Sequence, residues 1–92
     1  MICLKFNKSD DRLAGNPYGK KIFRDQVSGK INYHKKNIIV FPDQIRWVAS
    51  SFVQGFFSEV VKKIGYAKFD SVIQIKAKNS ELANNIRKDL LV

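Results

Sequence analysis

The feature that most constrains this 92-residue sequence is a run of apolar residues at helical spacing near its middle. Over residues 49–64 apolar side chains recur at i, i+3, i+4 and i+7, and polar side chains fill the positions between them. The spacing predicts a helix whose aromatic face needs a sheet to cover it. The apolar positions are Ala49, Phe52, Val53, Phe56, Phe57, Val60, Val61 and Ile64.

Local signals set the expected ends of this central helix. Ser51 and Gln54 have the spacing of a capping box, which predicts that the helix begins near Ser51. Lys62 and Lys63 suit the negative end of a helix dipole, and Gly65 is expected to end the helix.

Four segments are expected to be extended. Residues 38–41 form a continuous β-branched and aromatic run, which predicts a strand buried on both faces. Shorter extended segments are expected at residues 2–6, 45–48 and 71–76.

Two further helices flank the central one. Asn16-Pro17 is typical of a helix start, and apolar residues at helical spacing continue to about Ser28, just before Gly29. A last helix is expected to begin at Asn79 or Ser80, either of which would cap it. The apolar side of that helix carries Leu82, Ala83, Ile86 and Leu90.

The element order β-α-β-(β)-α-β-α predicts an α/β fold in which helices pack on a mostly parallel or mixed sheet. We expect one compact domain over residues 1–92, with a mixed sheet of about four strands and about three helices.

Composition argues against several kinds of chemistry. The single cysteine, Cys3, excludes an internal disulfide, and with a single histidine, His34, the chain cannot build a conventional zinc site. We expect Cys3 to be a buried small hydrophobe in its strand. Because there is no phosphate-binding glycine loop and no catalytic triad, we expect neither an enzyme nor a cofactor or metal. No apolar run is long enough to span a membrane, and we expect a protein of the reducing cytoplasm.

The net charge of +9, from 17 Lys and Arg against 8 Asp and Glu, indicates an acidic partner or a solvated basic surface. Lys20, Lys21 and Arg24 are expected on one helix face. Lys35, Lys36 and Arg46 could extend this basic patch. No sequence motif for nucleic-acid recognition accompanies it. Tyr18, Tyr33 and Trp47 could stack on bases, but their apolar surroundings favour core or sheet-edge positions.

The central segment, residues 38–65, resembles the STAS fold, which includes the anti-sigma-factor antagonists. A buried strand is followed by a short extension, a Ser-Ser pair at a helix start and a Phe-rich helix that ends at Gly. The upstream GNPYGKKIFRDQV and the downstream IQIKAKNSELANNI extend the resemblance over most of the chain, and the pattern is most similar to the short bacterial STAS-like family.

This resemblance implies a fold and a mode of action. In antagonist STAS domains a partner kinase phosphorylates a serine in a motif similar to Asp-Ser-Ser-Gly, and Ser50 matches that serine. Here Ala49 and Phe52 stand at the Asp and Gly positions. The resemblance implies that Ser50, Ser51 and Gln54 contact a partner protein, whereas the simpler interpretation is that one serine only caps the helix.

Three functional hypotheses therefore arise from the sequence. The first is a non-enzymatic regulatory module of STAS type that docks a protein partner, such as an ATP-binding kinase-like regulator, through the 50–64 helix. The alternative is a basic module that binds nucleic acid or a nucleoprotein, such as a small phage-encoded inhibitor. The third is self-association, for example as a homodimer, through a sheet edge or the Phe-rich helix.

Overall fold

The computed structural model describes residues 1–91, so Val92, the last residue of the predicted domain, lies outside the described residues. The α/β class is confirmed, and no helix within residues 1–91 has the length and apolar character needed to cross a membrane. The strands are β1 (Ile2–Cys3), β2 (Arg12–Leu13), β3 (Asn37–Val40), β4 (Trp47–Val48) and β5 (Ile73–Lys76). The helices are α1 (Asn16–Gln26), α2 (Ser50–Phe56), α3 (Ser58–Val72) and α4 (Ser80–Asp89).

The strands form two small sheets, and every pairing in the described part of the chain is parallel. β1, β3 and β5 form a three-stranded sheet in that order, and β2 pairs with β4 in a two-stranded sheet. The expectation of mostly parallel pairing is therefore confirmed, whereas the prediction of one mixed sheet of about four strands was wrong. Each pair of neighbouring strands is joined through a helix, and such a crossover returns the chain in the same direction. The sequence did not predict β2, because Arg12 and Leu13 are too short a segment to show a strand pattern.

The three-stranded sheet is covered by helices on one face. Its strand order follows the chain order, so right-handed crossovers put the connecting helices on the same side. Ile2, Ile39 and Ile73 face that side and are buried in a core cluster to which all four helices contribute.

The other face of this sheet is open. Burial alternates along β3, with Ile38 and Val40 only half-buried, so the prediction that this strand is buried on both faces was wrong. Gln74 and Lys76 lie beside them in the register and are exposed. Cys3 pairs with Val40 on the same face and is also exposed, contrary to the prediction of a buried thiol. Two crossovers of the same hand cover a sheet on one side only, and this geometry accounts for both corrections.

Helices α1 and α2 approach so closely that glycine is required on both sides of the contact. A Cβ at Gly19 would collide with backbone atoms of Phe52 and Phe56, and a Cβ at Gly55 would collide with the backbone of Asn16. The absence of side chains at Gly19 and Gly55 therefore sets the distance between the two helices.

Phe56 is the centre of an aromatic cluster that joins these helices to the sheet. Its ring is fully buried, and the four rings it contacts lie 4.8 to 5.8 Å away between centroids. They belong to Phe23, Phe41, Phe52 and Phe57. Edge-to-face packing of buried rings adds to the stabilisation from area burial. Because Phe52, Phe56 and Phe57 are all buried inside the domain, they are not available as a surface for self-association.

A single helix that ends at Gly65 was predicted for this region. The chain instead leaves the helical conformation at Phe57 and again at Gly65, and it is helical on both sides of each position. α2 ends at Phe56, the backbone at Phe57 leaves the helical region, and α3 begins at Ser58. The predicted interruption at Gly65 is confirmed, since its φ of 75° and ψ of 168° are accessible essentially only to glycine. Residues 66–72 then form another helical segment, so β5 begins at Ile73 and not at residue 71.

The predicted starts of the two outer helices had different outcomes. Asn79 caps α4 as predicted, its Oδ1 accepting a hydrogen bond from the Leu82 N–H at 2.8 Å. Asn16 is the first residue inside α1 and does not cap it, because the N-cap is Gly15, with φ of 98°. Pro17 occupies the first turn, where its missing N–H costs nothing.

Substituting Gly19 with alanine should destabilise the fold by about 1–3 kcal/mol, because overpacking at the α1–α2 contact outweighs the better helix propensity of alanine. Urea denaturation measures the free energy of unfolding. Gly29→Ala is the matched control, since nothing lies within 4 Å of a Cβ at Gly29. Its effect should stay within about 0.5 kcal/mol. Equal stabilities for the two variants would contradict the close contact.

A bidentate ion pair links α3 to α4. The Arg87 Nε and Nη2 donate to the Asp70 Oδ1 and Oδ2 at 2.7 and 3.1 Å, and the guanidinium lies 5.0 Å from the centroid of the Phe69 ring. The hydrogen bond from Arg87 holds the pKa of the Asp70 carboxyl below its usual value. The carboxylate therefore contributes stability above the ordinary Asp pKa, and this contribution is lost as the pH falls through the lowered pKa.

Asp70→Asn should lower the free energy of unfolding at pH 7 by at most about 1 kcal/mol, because the Asp70 side chain is 71% exposed and water screens the pair. The difference from the wild type should shrink once the pH falls below about 3.9, as the native carboxylate is protonated. Urea denaturation across this pH range measures it, with Asp43→Asn at an exposed position as the control. If the difference in the free energy of unfolding did not change with pH, the ionised Asp70 carboxylate would not be its source.

Candidate functional site

A groove of about 580 Å³ runs between α1, α2, α3 and the end of α4. We call it the helical groove. Two of these helices, α1 and α2, are held together by their close approach at Gly19 and Gly55. Its lining residues are Lys20, Phe23, Arg24, Gln54, Gly55, Ser58, Glu59, Val61, Lys62, Tyr66 and Leu90.

Three cations border the helical groove. Lys20 and Arg24 lie four residues apart on α1 and therefore share one face of the helix, and Lys62 comes from α3. Within residues 1–91, neither Lys20 nor Lys62 forms an ion pair. The Arg24 Nε lies 3.8 Å from the Asp25 carboxylate, which is a loose contact between exposed side chains.

Lys21, the next residue of the predicted basic patch, is bound by a carboxylate instead. Its Nζ donates to the Asp25 Oδ2 at 2.7 Å, one helical turn away, and it does not line the helical groove. This hydrogen bond lowers the pKa of the Asp25 carboxyl. Of the three cations predicted on α1, Lys20 and Arg24 therefore contribute to the groove.

The groove also has an apolar part. Phe23 and Leu90 are buried core residues that close it from below, and Val61 is half-buried beside them. Tyr66, immediately after the break at Gly65, leaves 51% of its surface exposed. Glu59 is the one carboxylate among the lining residues. Cations next to apolar and aromatic surface are suited to a ligand that is both anionic and partly apolar.

The predicted partner-contact residues fall in two places. Gln54 lines the helical groove, and its Nε2 donates to the Asp89 carbonyl at 3.5 Å. Ser50 and Ser51 lie at the start of α2 and are not among the groove residues. The prediction that a serine caps the helix was wrong, because the N-cap is Ala49 and no side chain bonds there. The Ser51 Oγ instead accepts a hydrogen bond from the Gly15 N–H at 3.0 Å and ties α2 to the start of α1.

Ser51→Ala should therefore destabilise the fold by about 0.5–1.5 kcal/mol, since the Gly15 N–H loses its acceptor. Ser50→Ala is the matched control and should be close to neutral, because no hydrogen bond in residues 1–91 involves the Ser50 hydroxyl. Thermal unfolding monitored by circular dichroism compares the two variants. A greater loss of thermal stability for Ser50→Ala than for Ser51→Ala would indicate that Ser50 caps α2.

The remaining predicted basic residues do not join the helical groove, so the single patch proposed from sequence is divided. Lys36 lines a smaller depression beside Asp70 and Arg87, between β5 and α4. Lys35 is exposed in the turn before β3, where its carbonyl accepts from the buried Asn37 amide. Arg46 lies next to Trp47 in another depression. The turn before β3 and the short strands direct Lys35, Lys36 and Arg46 to different parts of the surface.

Comparisons of the chain with protein-family models, with curated proteins and with solved structures find no match. The STAS resemblance therefore stays a prediction that only the residues quoted above support. The site residues are those that the geometry brings together: Lys20, Arg24 and Lys62 beside Phe23 and Tyr66.

The three aromatic side chains considered for base stacking differ in exposure. Tyr18 lies on α1 and is 36% exposed, so the prediction of a core or sheet-edge position was wrong for it, although its ring packs edge-on against Phe52. Tyr33 is half-buried, with the Lys63 Nζ 4.9 Å from its ring centroid. Trp47 lies in the two-stranded sheet, in agreement with a sheet position, yet 50% of its surface is exposed. The sequence holds a signal for this: if Val48 faces the core, strand alternation turns Trp47 to solvent.

Proposed function

We propose that the chain is a non-enzymatic protein-interaction module that binds an acidic, partly apolar segment of a partner protein in the helical groove. The observation that carries the proposal is the set of three cations, Lys20, Arg24 and Lys62, around an apolar floor. The STAS resemblance adds the finer proposal that the module is regulatory and that its partner is an ATP-binding, kinase-like protein of the bacterial or phage-infected cytoplasm.

Charge supports an acidic occupant. The net charge of +9 attracts an anionic partner from a distance, and the cations at the groove orient it on arrival. Glu59 is the one lining residue that would repel it. Lys20 and Lys62 are free of ion pairs in the described residues, so a partner's carboxylates need not displace an internal one.

Apolar contacts support a protein segment in this groove. Tyr66 is half-exposed at its edge, and tyrosine is among the residues enriched in interface hot spots. Phe23 and Leu90 supply a fixed apolar floor, because both belong to the buried core. Leu or Phe side chains of a partner helix would bury against this floor while its carboxylates face the cations.

The double variant Lys20→Glu, Arg24→Glu should weaken binding about tenfold, because attraction at two positions becomes repulsion. The measurement is fluorescence anisotropy with a labelled synthetic helical peptide that carries Leu on one face and Glu on the other. Affinity for the wild type should fall as salt rises.

Two control variants make this test specific. The double variant Lys8→Glu, Lys30→Glu changes the net charge equally at exposed positions outside the groove and should keep most of the affinity. Equal losses for the two double variants would reject the groove as the site. Ser50→Glu examines the resemblance separately, since a loss of binding there would extend the contact to the start of α2.

A further inference from the structure

The side chain of Trp47 is unusually accessible for a tryptophan. Half of its surface is exposed, so one part of the indole is available to a ligand. The guanidinium of Arg12, the register partner of Trp47 in the neighbouring strand, lies over one face of the ring, with Cζ 5.8 Å from the centroid, and leaves the other face for a ligand. The backbone beneath it is held in place, because the N–H groups of Arg46 and Trp47 both donate to the Asp11 carbonyl.

Two depressions meet at Arg46 and Trp47, and together we call them the Trp47 groove. The smaller, of about 340 Å³, lies towards Arg12, and the larger, of about 560 Å³, runs between β4 and α4 along the length of that helix. The helix wall is mostly polar, with the amides of Asn79 and Asn85 among its groups.

Four cations line the Trp47 groove: Arg12, Arg46, Lys78 and Lys88. None of them forms an ion pair in the described part of the chain. Three carboxylates, those of Asp11, Glu81 and Asp89, also line it, so the local excess of positive charge is one. The wider field of a chain with net charge +9 adds to this excess.

The polar character of the Trp47 groove distinguishes it from the helical groove. The centre of a protein–protein interface is apolar and depleted of charged groups, whereas most residues that line the Trp47 groove are charged or carry amides. An exposed aromatic ring among cations is instead the arrangement with which proteins bind single-stranded nucleic acid. The ring stacks on a base, and Lys and Arg contact the phosphates.

We propose that the Trp47 groove binds single-stranded nucleic acid, with a base stacked on Trp47 and phosphates held by Arg46, Lys78 and Lys88. A single strand is specified because the faces of bases in a duplex are already stacked and cannot reach the indole. The Asn85 amide lines the same groove and offers both a donor and an acceptor to the edges of bases. This site is separate from the helical groove and does not depend on the function proposed there.

Trp47 is the single tryptophan of the sequence, so its fluorescence reports directly on stacking. Titration of the whole chain with an oligothymidylate of about 10 nucleotides at low salt should quench this emission in a saturable manner. The affinity should fall with salt, with a slope of log K against log salt of about −2 to −3 if three or four phosphates are contacted. A duplex of the same length should bind less tightly and quench less.

Variants assign the binding to the groove. Arg46→Ala should weaken binding at least threefold, whereas Lys30→Ala, which makes the same change in net charge at an exposed position elsewhere, should not. Trp47→Ala, followed with a labelled oligonucleotide, should weaken binding at least about fivefold. Trp47→Phe retains an aromatic ring and should recover part of the affinity, which separates stacking from any loss of fold.

Several results would overturn the proposal. Absence of quenching at low salt would do so, as would a duplex that binds as tightly as the single strand, because charge alone would then account for binding. Equal effects of Arg46→Ala and Lys30→Ala would also reject the site. Quenching by the acidic peptide but not by the oligonucleotide would assign the Trp47 groove to a protein. The Lys20→Glu, Arg24→Glu variant should bind the peptide poorly and still show quenching by the oligonucleotide at low salt, so the two proposals fail separately.

Discussion

The contact of α1 with α2 through Gly19 and Gly55 is the constraint on which most of this structure depends. Because neither residue has a Cβ, the two helix backbones meet, and Phe56 can reach the rings contributed by α1 and by the end of β3. That aromatic cluster is the centre of the core. The same contact fixes the spacing of the walls of the helical groove, since Lys20 and Gln54 stand on the two helices that it joins.

The order of the strands explains much of what remains. Parallel strands in chain order require crossovers of one hand, so the helices gather on one side of a three-stranded sheet. The face left open carries Cys3 and Lys76 in place of a second apolar layer. An uninterrupted apolar segment such as residues 38–41 is typical of a strand with helices on both faces of its sheet. In this small sheet the helices cover only one face of the strand.

The positive charge is divided between separate surfaces. Lys20, Arg24 and Lys62 surround an apolar floor, whereas Arg46 belongs to a polar groove around Trp47. The first arrangement suits an amphipathic acidic segment and the second a single-stranded polyanion. The amino-acid sequence shows how many charges there are, but not the turn and strands that separate Lys20 and Arg24 from Arg46.

Local rules were sufficient for some parts of this protein. The interruption at Gly65 and the cap by Asn79 follow from the chemistry of single residues, and the central apolar periodicity predicted the helical core. The bond from the Gly15 N–H to Ser51 and the pairing of the exposed Trp47 with Arg12 join residues distant in sequence. Packing between distant segments decided these features, because only the folded chain determines which face of a short element meets another.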